Sequence, residues 1–93
     1  MTSLDKRIAI RPNVLVRELR GESVLLNLDS EAYFGLDEIG TGMWRALTTS
    51  STVREARDTL LAEYDVEPER LEQDLGLFVE KLAGAGLIDV RDA

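Results

Sequence analysis

The chain has 93 residues, 44% of them apolar, and a formal charge of −7; this size allows one domain that buries something over ~60% of its unfolded surface. It contains no cysteine and no histidine, which removes disulfides, thiolate and imidazole metal sites, and the Ser-His-Asp arrangement. An independent enzyme is therefore not expected, nor a metal, a catalytic residue or a cofactor.

No apolar run approaches the roughly 18 residues of a membrane span. Met1-Thr2-Ser3-Leu4-Asp5-Lys6-Arg7 lacks the apolar centre of a signal peptide. A cytoplasmic protein with no membrane partner is the expectation. Residues 1–20 hold five basic and two acidic residues, a net of +3, and the remainder carries −10. Such a surface repels phosphates and favours solubility.

Residues 1–13 read as an extended lead-in, because Pro12 excludes a helix and biases Arg11 toward extended geometry; Ile8 and Ile10 could add a short edge strand. A single domain then occupies residues 14–90. Val14–Leu19 and Ser23–Leu28 read as strands around a turn at Arg20-Gly21-Glu22, with Val24, Leu26 and Leu28 sharing one face. A turn at Asp29-Ser30-Glu31 leads into a third strand, Ala32–Leu36. Two tight connections imply an antiparallel meander whose third strand is an edge.

Three helices follow. Asp37 stands at an N-cap, and Ile39, Met43, Trp44 and Leu47 fall on one apolar face. Thr52-Val53-Arg54-Glu55 fits a capping box, with Val53, Ala56, Leu60, Leu61 and Tyr64 toward the core. Pro68 suits the first turn of the third helix, whose stripe is Leu71, Leu75, Phe78, Val79 and Leu82. Gly84 or Gly86 ends it, and Leu87–Val90 forms a short apolar tail. The fold class predicted is α+β and winged helix-turn-helix-like, a three-stranded antiparallel sheet followed by three helices.

A helix-turn-helix suggests DNA, but residues 67–81 hold five acids against two bases, a net of −3. DNA affinity needs Lys and Arg at the phosphates, so no nucleic-acid partner is expected, and a winged-helix transcriptional regulator is a secondary reading. Asp29-Ser30 resembles the start of a carrier-protein phosphopantetheine motif, but Glu31 and a β-rich run follow it, so a hairpin turn is the better reading. Acid pairs such as Asp37-Glu38 lie at helix starts, where they favour the dipole, and do not follow calcium-loop spacing.

The third strand stands out, because Tyr33, Phe34 and nearby Trp44 are three of the chain's five aromatic residues. Alternation puts Phe34 and Leu36 on the core face, with Tyr33 and Gly35 opposite. Gly35 weakens a strand and suggests a bend or the close approach of another backbone. Gly40 and Gly42 would let the first helix pack tightly on the sheet. An open edge needs a cover or a use. The use expected is strand addition of a peptide, with anchors on the exposed flank of the third helix.

Val24-Leu25-Leu26-Asn27-Leu28, Tyr33-Phe34-Gly35-Leu36-Asp37-Glu38-Ile39-Gly40 and Trp44-Arg45-Ala46-Leu47, in that order, resemble the PqqD family. So do Thr52-Val53-Arg54-Glu55-Ala56, Leu60-Leu61-Ala62-Glu63-Tyr64-Asp65-Val66 and Leu82-Ala83-Gly84-Ala85-Gly86-Leu87-Ile88; the resemblance covers roughly residues 14–90. It implies a non-catalytic domain that recognises the leader peptide of a ribosomally made precursor, a RiPP recognition element. The leader would pair with the backbone of Ala32, Tyr33, Phe34, Gly35 and Leu36 and lie against Leu71, Asp74, Leu75 and Phe78. The style of residues 33–44 is similar to stand-alone proteins of lasso-peptide pathways, which implies a leader peptidase (a cysteine protease) as partner. Service to a radical SAM enzyme or another modifying enzyme is the alternative within the family. Gly42 departs from the family pattern, in which a larger, often basic residue stands.

Overall fold

The expected meander is present in the computed structural model, which describes residues 4–92. Strands β2 (Val14–Leu19), β3 (Glu22–Asn27) and β4 (Tyr33–Leu36) form an antiparallel sheet in that order. Arg20 (φ 56°) and Gly21 (φ 82°) close the first hairpin. Two consecutive positive φ values are the mark of a type I′ turn, whose twist suits paired strands. The second hairpin is organised by Asn27, whose side-chain oxygen accepts from the amides of Asp29 (2.9 Å) and Ser30 (3.2 Å). Glu31, at φ 61°, donates its N–H to the Asn27 carbonyl (2.8 Å), and Asn27 donates to the Ala32 carbonyl (2.9 Å). Glu31 and Ala32 thus oppose one residue, the pattern of a bulge whose first position usually belongs to glycine.

The buried face of β3 differs from the expected one. Ser23, Leu25 and Asn27 point inward, while Val24 and Leu28 are exposed. The run Val24-Leu25-Leu26 is apolar on both faces, so alternation alone has two solutions. Ser23 can turn inward because its hydroxyl pairs with that of buried Thr41 at 2.7 Å, which satisfies both groups out of water.

The lead-in does supply a short strand, and its partner is the C-terminal tail, which was not expected to be a strand. β1 (Lys6–Ile10) pairs antiparallel with β5 (Ile88–Asp92), making a second, two-stranded sheet. Ile8 and Ile88 are both buried in the core, and a Lys6–Asp92 ion pair joins the two strands near their ends. Residues 1–3 of the expected lead-in lie outside the described residues.

Three helices follow, α1 (Glu38–Thr49), α2 (Val53–Glu63) and α3 (Pro68–Gly84); α1 packs on β3 and β4, α2 on α1 and β1, and α3 on α2 and β5. The Asp37 carboxylate accepts from the Gly40 N–H at 2.8 Å, as a cap should. Gly40 is buried, and a Cβ there would lie 3.4 Å from the Leu36 side chain, so α1 does approach β4 through it. Gly42 instead faces Tyr64 at the end of α2, whose hydroxyl would stand 2.8 Å from an added Cβ. Tyr64 is consequently half-exposed rather than core, and it occupies the space a larger residue at position 42 would need. At α2, Thr52 caps the Glu55 amide, but Glu55 reaches the Ser51 amide (2.9 Å), one residue beyond the expected return bond.

α3 ends in a Schellman motif. Leu87 N–H donates to the Leu82 carbonyl and Gly86 N–H to that of Ala83, both at 3.1 Å, with Gly86 at φ +73°. Leu82 and Leu87 are buried together beneath it, the apolar contact that accompanies this cap. Gly86, not Gly84, is therefore the terminator. Buried Asn27 ties this end to the sheet, donating to the Ala85 (3.4 Å) and Gly86 (3.2 Å) carbonyls. The core is Leu25, Trp44, Leu47, Val53, Leu60, Leu75, Val79, Leu82 and Leu87 with their neighbours. Helix α1 packs on one face of the β2–β3–β4 sheet, and the molecule is only 18 Å along its shortest axis.

Candidate functional site

β4 is an open edge, and its pairing with β3 fixes which groups are free. Beyond the Asn27–Ala32 bond the register runs Tyr33 with Leu26, Phe34 with Leu25, Gly35 with Val24 and Leu36 with Ser23. Antiparallel partners alternate between hydrogen-bonded and unbonded pairs. Phe34 and Leu36 therefore bond to β3, and Tyr33 and Gly35 turn their N–H and C=O groups outward. That leaves two donors and two acceptors along one edge, a geometry that another extended segment can complete. Ala32 lies just outside the strand, its carbonyl already taken by Asn27.

Beneath this edge a groove runs between β4, α1 and α3. Phe34 and Leu36 are half-buried and pack on the core from the β4 side, and Phe78 does so from α3. Leu36, Ile39, Met43 and Phe78 line an opening of about 440 Å³ with Gly35, Asp37 and Gly40. Asp74 and Lys81 follow Phe78's flank at helical spacing and are exposed. The Lys81 ammonium stands 5.6 Å from the centre of the Phe34 ring, within cation–π range. The groove thus has an apolar floor with the exposed base Lys81 beside Phe34.

Of the four α3 residues expected here, Phe78 lines the opening, and Asp74 is exposed one turn before it. Leu71 and Leu75 are buried, and Leu75 has no exposed surface at all. Two α1 residues expected on its core face stand at the opening as well: Ile39 is 62% exposed, and Met43 lines the wall beside it. Lys81 lies three residues after Phe78, a spacing that could have pointed to it.

Gly35 departs from expectation differently. Its φ is not positive, and a Cβ there would meet nothing within 4 Å. Neither a bend nor a contact inside the chain calls for glycine at this position. β2 is also an edge strand, but the Glu18–Arg45 ion pair joins it to α1, and it has no counterpart of Phe78. Among the described residues no group of three or more acids is gathered that could hold a metal ion. No helix among them is long and apolar enough to cross a membrane.

Fold and edge together define a winged-helix-like α+β domain with an open-edged strand over an apolar groove. The chain belongs to the PqqD family: the model described as "Coenzyme PQQ synthesis protein D (PqqD)" matches residues 22–88. Among solved structures it is similar to TbiB1 in complex with the TbiA(beta) leader peptide, with 34% identity over 87% of this chain and 94% of that one and a TM-score of 0.82. It also shares its fold with lasso peptide synthetase B1 complexed with the leader peptide, at 24% identity over 89% and 98% of the two chains and a TM-score of 0.80. No curated protein matches the chain.

Proposed function

We propose that this protein captures the leader segment of a ribosomally made precursor peptide as a fourth strand on β4. It then delivers the precursor to a processing enzyme, the leader peptidase of a lasso-type pathway. The observation that carries this is the outward pair Tyr33 and Gly35 above the Phe34–Phe78 groove. It is supported by 34% identity to a protein solved with a leader peptide bound.

The magnitudes show why edge and groove must act together. Four backbone hydrogen bonds at about 1 kcal/mol each supply about 4 kcal/mol, no better than about millimolar affinity. Ordering a flexible peptide costs more than that leaves over. Apolar side chains on alternate leader residues, set on Phe34, Leu36, Met43 and Phe78, provide the remainder. Bare backbone at Gly35 lets the incoming strand come close without a side chain to displace.

Lasso-type delivery is supported by the resemblance of residues 33–44 to stand-alone lasso-pathway proteins and by the B1 fold. Service to a radical SAM enzyme is the second reading, favoured by the description of the family model.

The test is fluorescence anisotropy of labelled TbiA(beta) leader titrated with the protein, beside a scrambled control. Saturable, sequence-selective binding is expected. Gly35→Pro removes one outward N–H at an edge position where proline is tolerated, and should weaken binding at least about tenfold with the helical circular dichroism unchanged. Normal binding by a folded Gly35→Pro protein would rule out strand addition at β4. No selective binding to any of a panel of lasso-type leaders would rule out the lasso reading.

A further inference from the structure

Ile39 borders two openings, the groove under β4 and a second one of about 460 Å³ between α1 and α2. Helical spacing sets Glu38, Gly42, Arg45 and Thr49 along the α1 wall of this cleft. Glu63 and Tyr64 come from the end of α2, and the Tyr64 hydroxyl would stand 2.8 Å from a Cβ at Gly42. The end of α2 thus returns to the first turns of α1, and glycine at position 42 leaves the space between them open.

This end of the cleft is electronegative and holds no cation of its own. Glu38 and Glu63 are exposed, and neither has a hydrogen-bond or ion-pair partner among the described residues. α2 finishes there with no basic residue in its last turn, so the negative end of its dipole adds to the Glu63 carboxylate instead of being met by a cation. Arg45, the base on the α1 wall, is engaged by Glu18. The Tyr64 ring offers an aromatic wall of the kind that suits an ammonium or guanidinium.

We infer that this cleft holds the stretch of leader that precedes the captured strand, and that this stretch carries a lysine or arginine seated between Glu38, Glu63 and Tyr64. Continuity with the β4 groove carries the argument. Both strand pairs of the meander are antiparallel, and a strand added to β4 in the same sense begins at the Leu36 end, beside Asp37 and Ile39. The residues before it then cross Ile39, which is 62% exposed, and reach the cleft. Glu38 to Thr49 covers three turns of α1, about 16 Å, room for about five extended residues. Exposed ion pairs contribute little by themselves, so the cleft selects among peptides that β4 has already captured. Strand pairing reads backbone and tolerates many sequences; the cleft adds a requirement for positive charge. The inference rests on the leader-capture reading above.

Two labelled forms of the TbiA(beta) leader test it. In one, glycine alternates with lysine in the five positions before the segment that pairs with β4; in the other, glycine alternates with glutamate. Each is titrated by anisotropy at low salt against wild type and the Glu38→Gln/Glu63→Gln double variant. The chain carries −7 overall and favours lysine by that alone, so Glu67→Gln/Glu69→Gln serves as control. It makes the same change in net charge at exposed positions outside the cleft. Wild type should bind the lysine form at least about fivefold more tightly than the glutamate form. That preference should fall to within about twofold in Glu38→Gln/Glu63→Gln and persist in the control. Equal affinity of the two forms for wild type would overturn the proposal. A preference that survives in Glu38→Gln/Glu63→Gln, or that falls equally in both double variants, would overturn it too, because the field of the whole acidic surface would then account for the selection. If neither form nor the unaltered leader binds a protein that keeps its helical circular dichroism, leader capture itself fails, and this site with it.

Discussion

Glycine acts in three different ways in this chain. Gly86 holds a left-handed conformation at the end of α3 and lies close to Asn27, whose side-chain nitrogen would be 3.0 Å from an added Cβ. An L-residue in that region costs about 1–2 kcal/mol. Gly86→Ala should therefore lower stability by about that amount, shifting Tm downward by about 4–8 °C per kcal/mol in a domain of this size. Gly84→Ala, whose Cβ meets nothing, should be neutral or gain up to about 1 kcal/mol from helix propensity. Thermal denaturation of the two variants separates the terminator from its neighbour. Gly40 is steric, letting α1 sit against Leu36. Gly35 answers to nothing inside the chain, and under the proposed capture it leaves room for the strand that approaches β4.

At the scale of elements, the caps and turns were legible in the sequence because each is decided within four or five residues. Asp37, Thr52 and Pro68 start helices where their side chains dictate, and Arg20-Gly21 turns the first hairpin. What was not legible was long-range. Lys6–Ile10 pairs with residues more than 70 positions away, and nothing local in Lys-Arg-Ile-Ala-Ile names its partner. The face of β3 was misread because its outer side is apolar as well. In α3 one stripe serves both core and groove, so spacing could not separate Leu71 and Leu75 from Phe78.

The β1–β5 ribbon also makes a pH-dependent prediction. The hydrogen bond from Lys6 holds the exposed Asp92 carboxyl below its ordinary value, with the lysine's charge acting in the same direction. A depressed folded value means the tie is fully present above the ordinary carboxylate range and is lost as pH falls through the folded value. An NMR titration should find Asp92 titrating below a free aspartate and returning to the ordinary range in Lys6→Met. An unshifted Asp92 in the wild-type protein would show that the tie does not form in solution.

The whole molecule presents three surfaces with different characters. The helical face around α3 carries a net negative charge where a DNA-binding relative would need bases, and no retardation of DNA at low salt is expected. The β4 edge leaves backbone groups free above an apolar groove, and the outer sheet face is apolar and exposed. The first two surfaces could be reasoned from sequence, since charge sign and meander order are read directly. The third emerged only with the register that put Leu15, Val24 and Tyr33 together.

The central claim is capture of a peptide by strand addition at β4, and backbone parity offers its most direct test. Amide hydrogen exchange, measured residue by residue with and without saturating leader peptide, should show new protection at Tyr33 and Gly35. Phe34 and Leu36, whose amides already bond to β3, should change little. Protection confined to α3, or none at Tyr33 and Gly35 in a saturated complex, would contradict strand addition and place the peptide elsewhere on the protein.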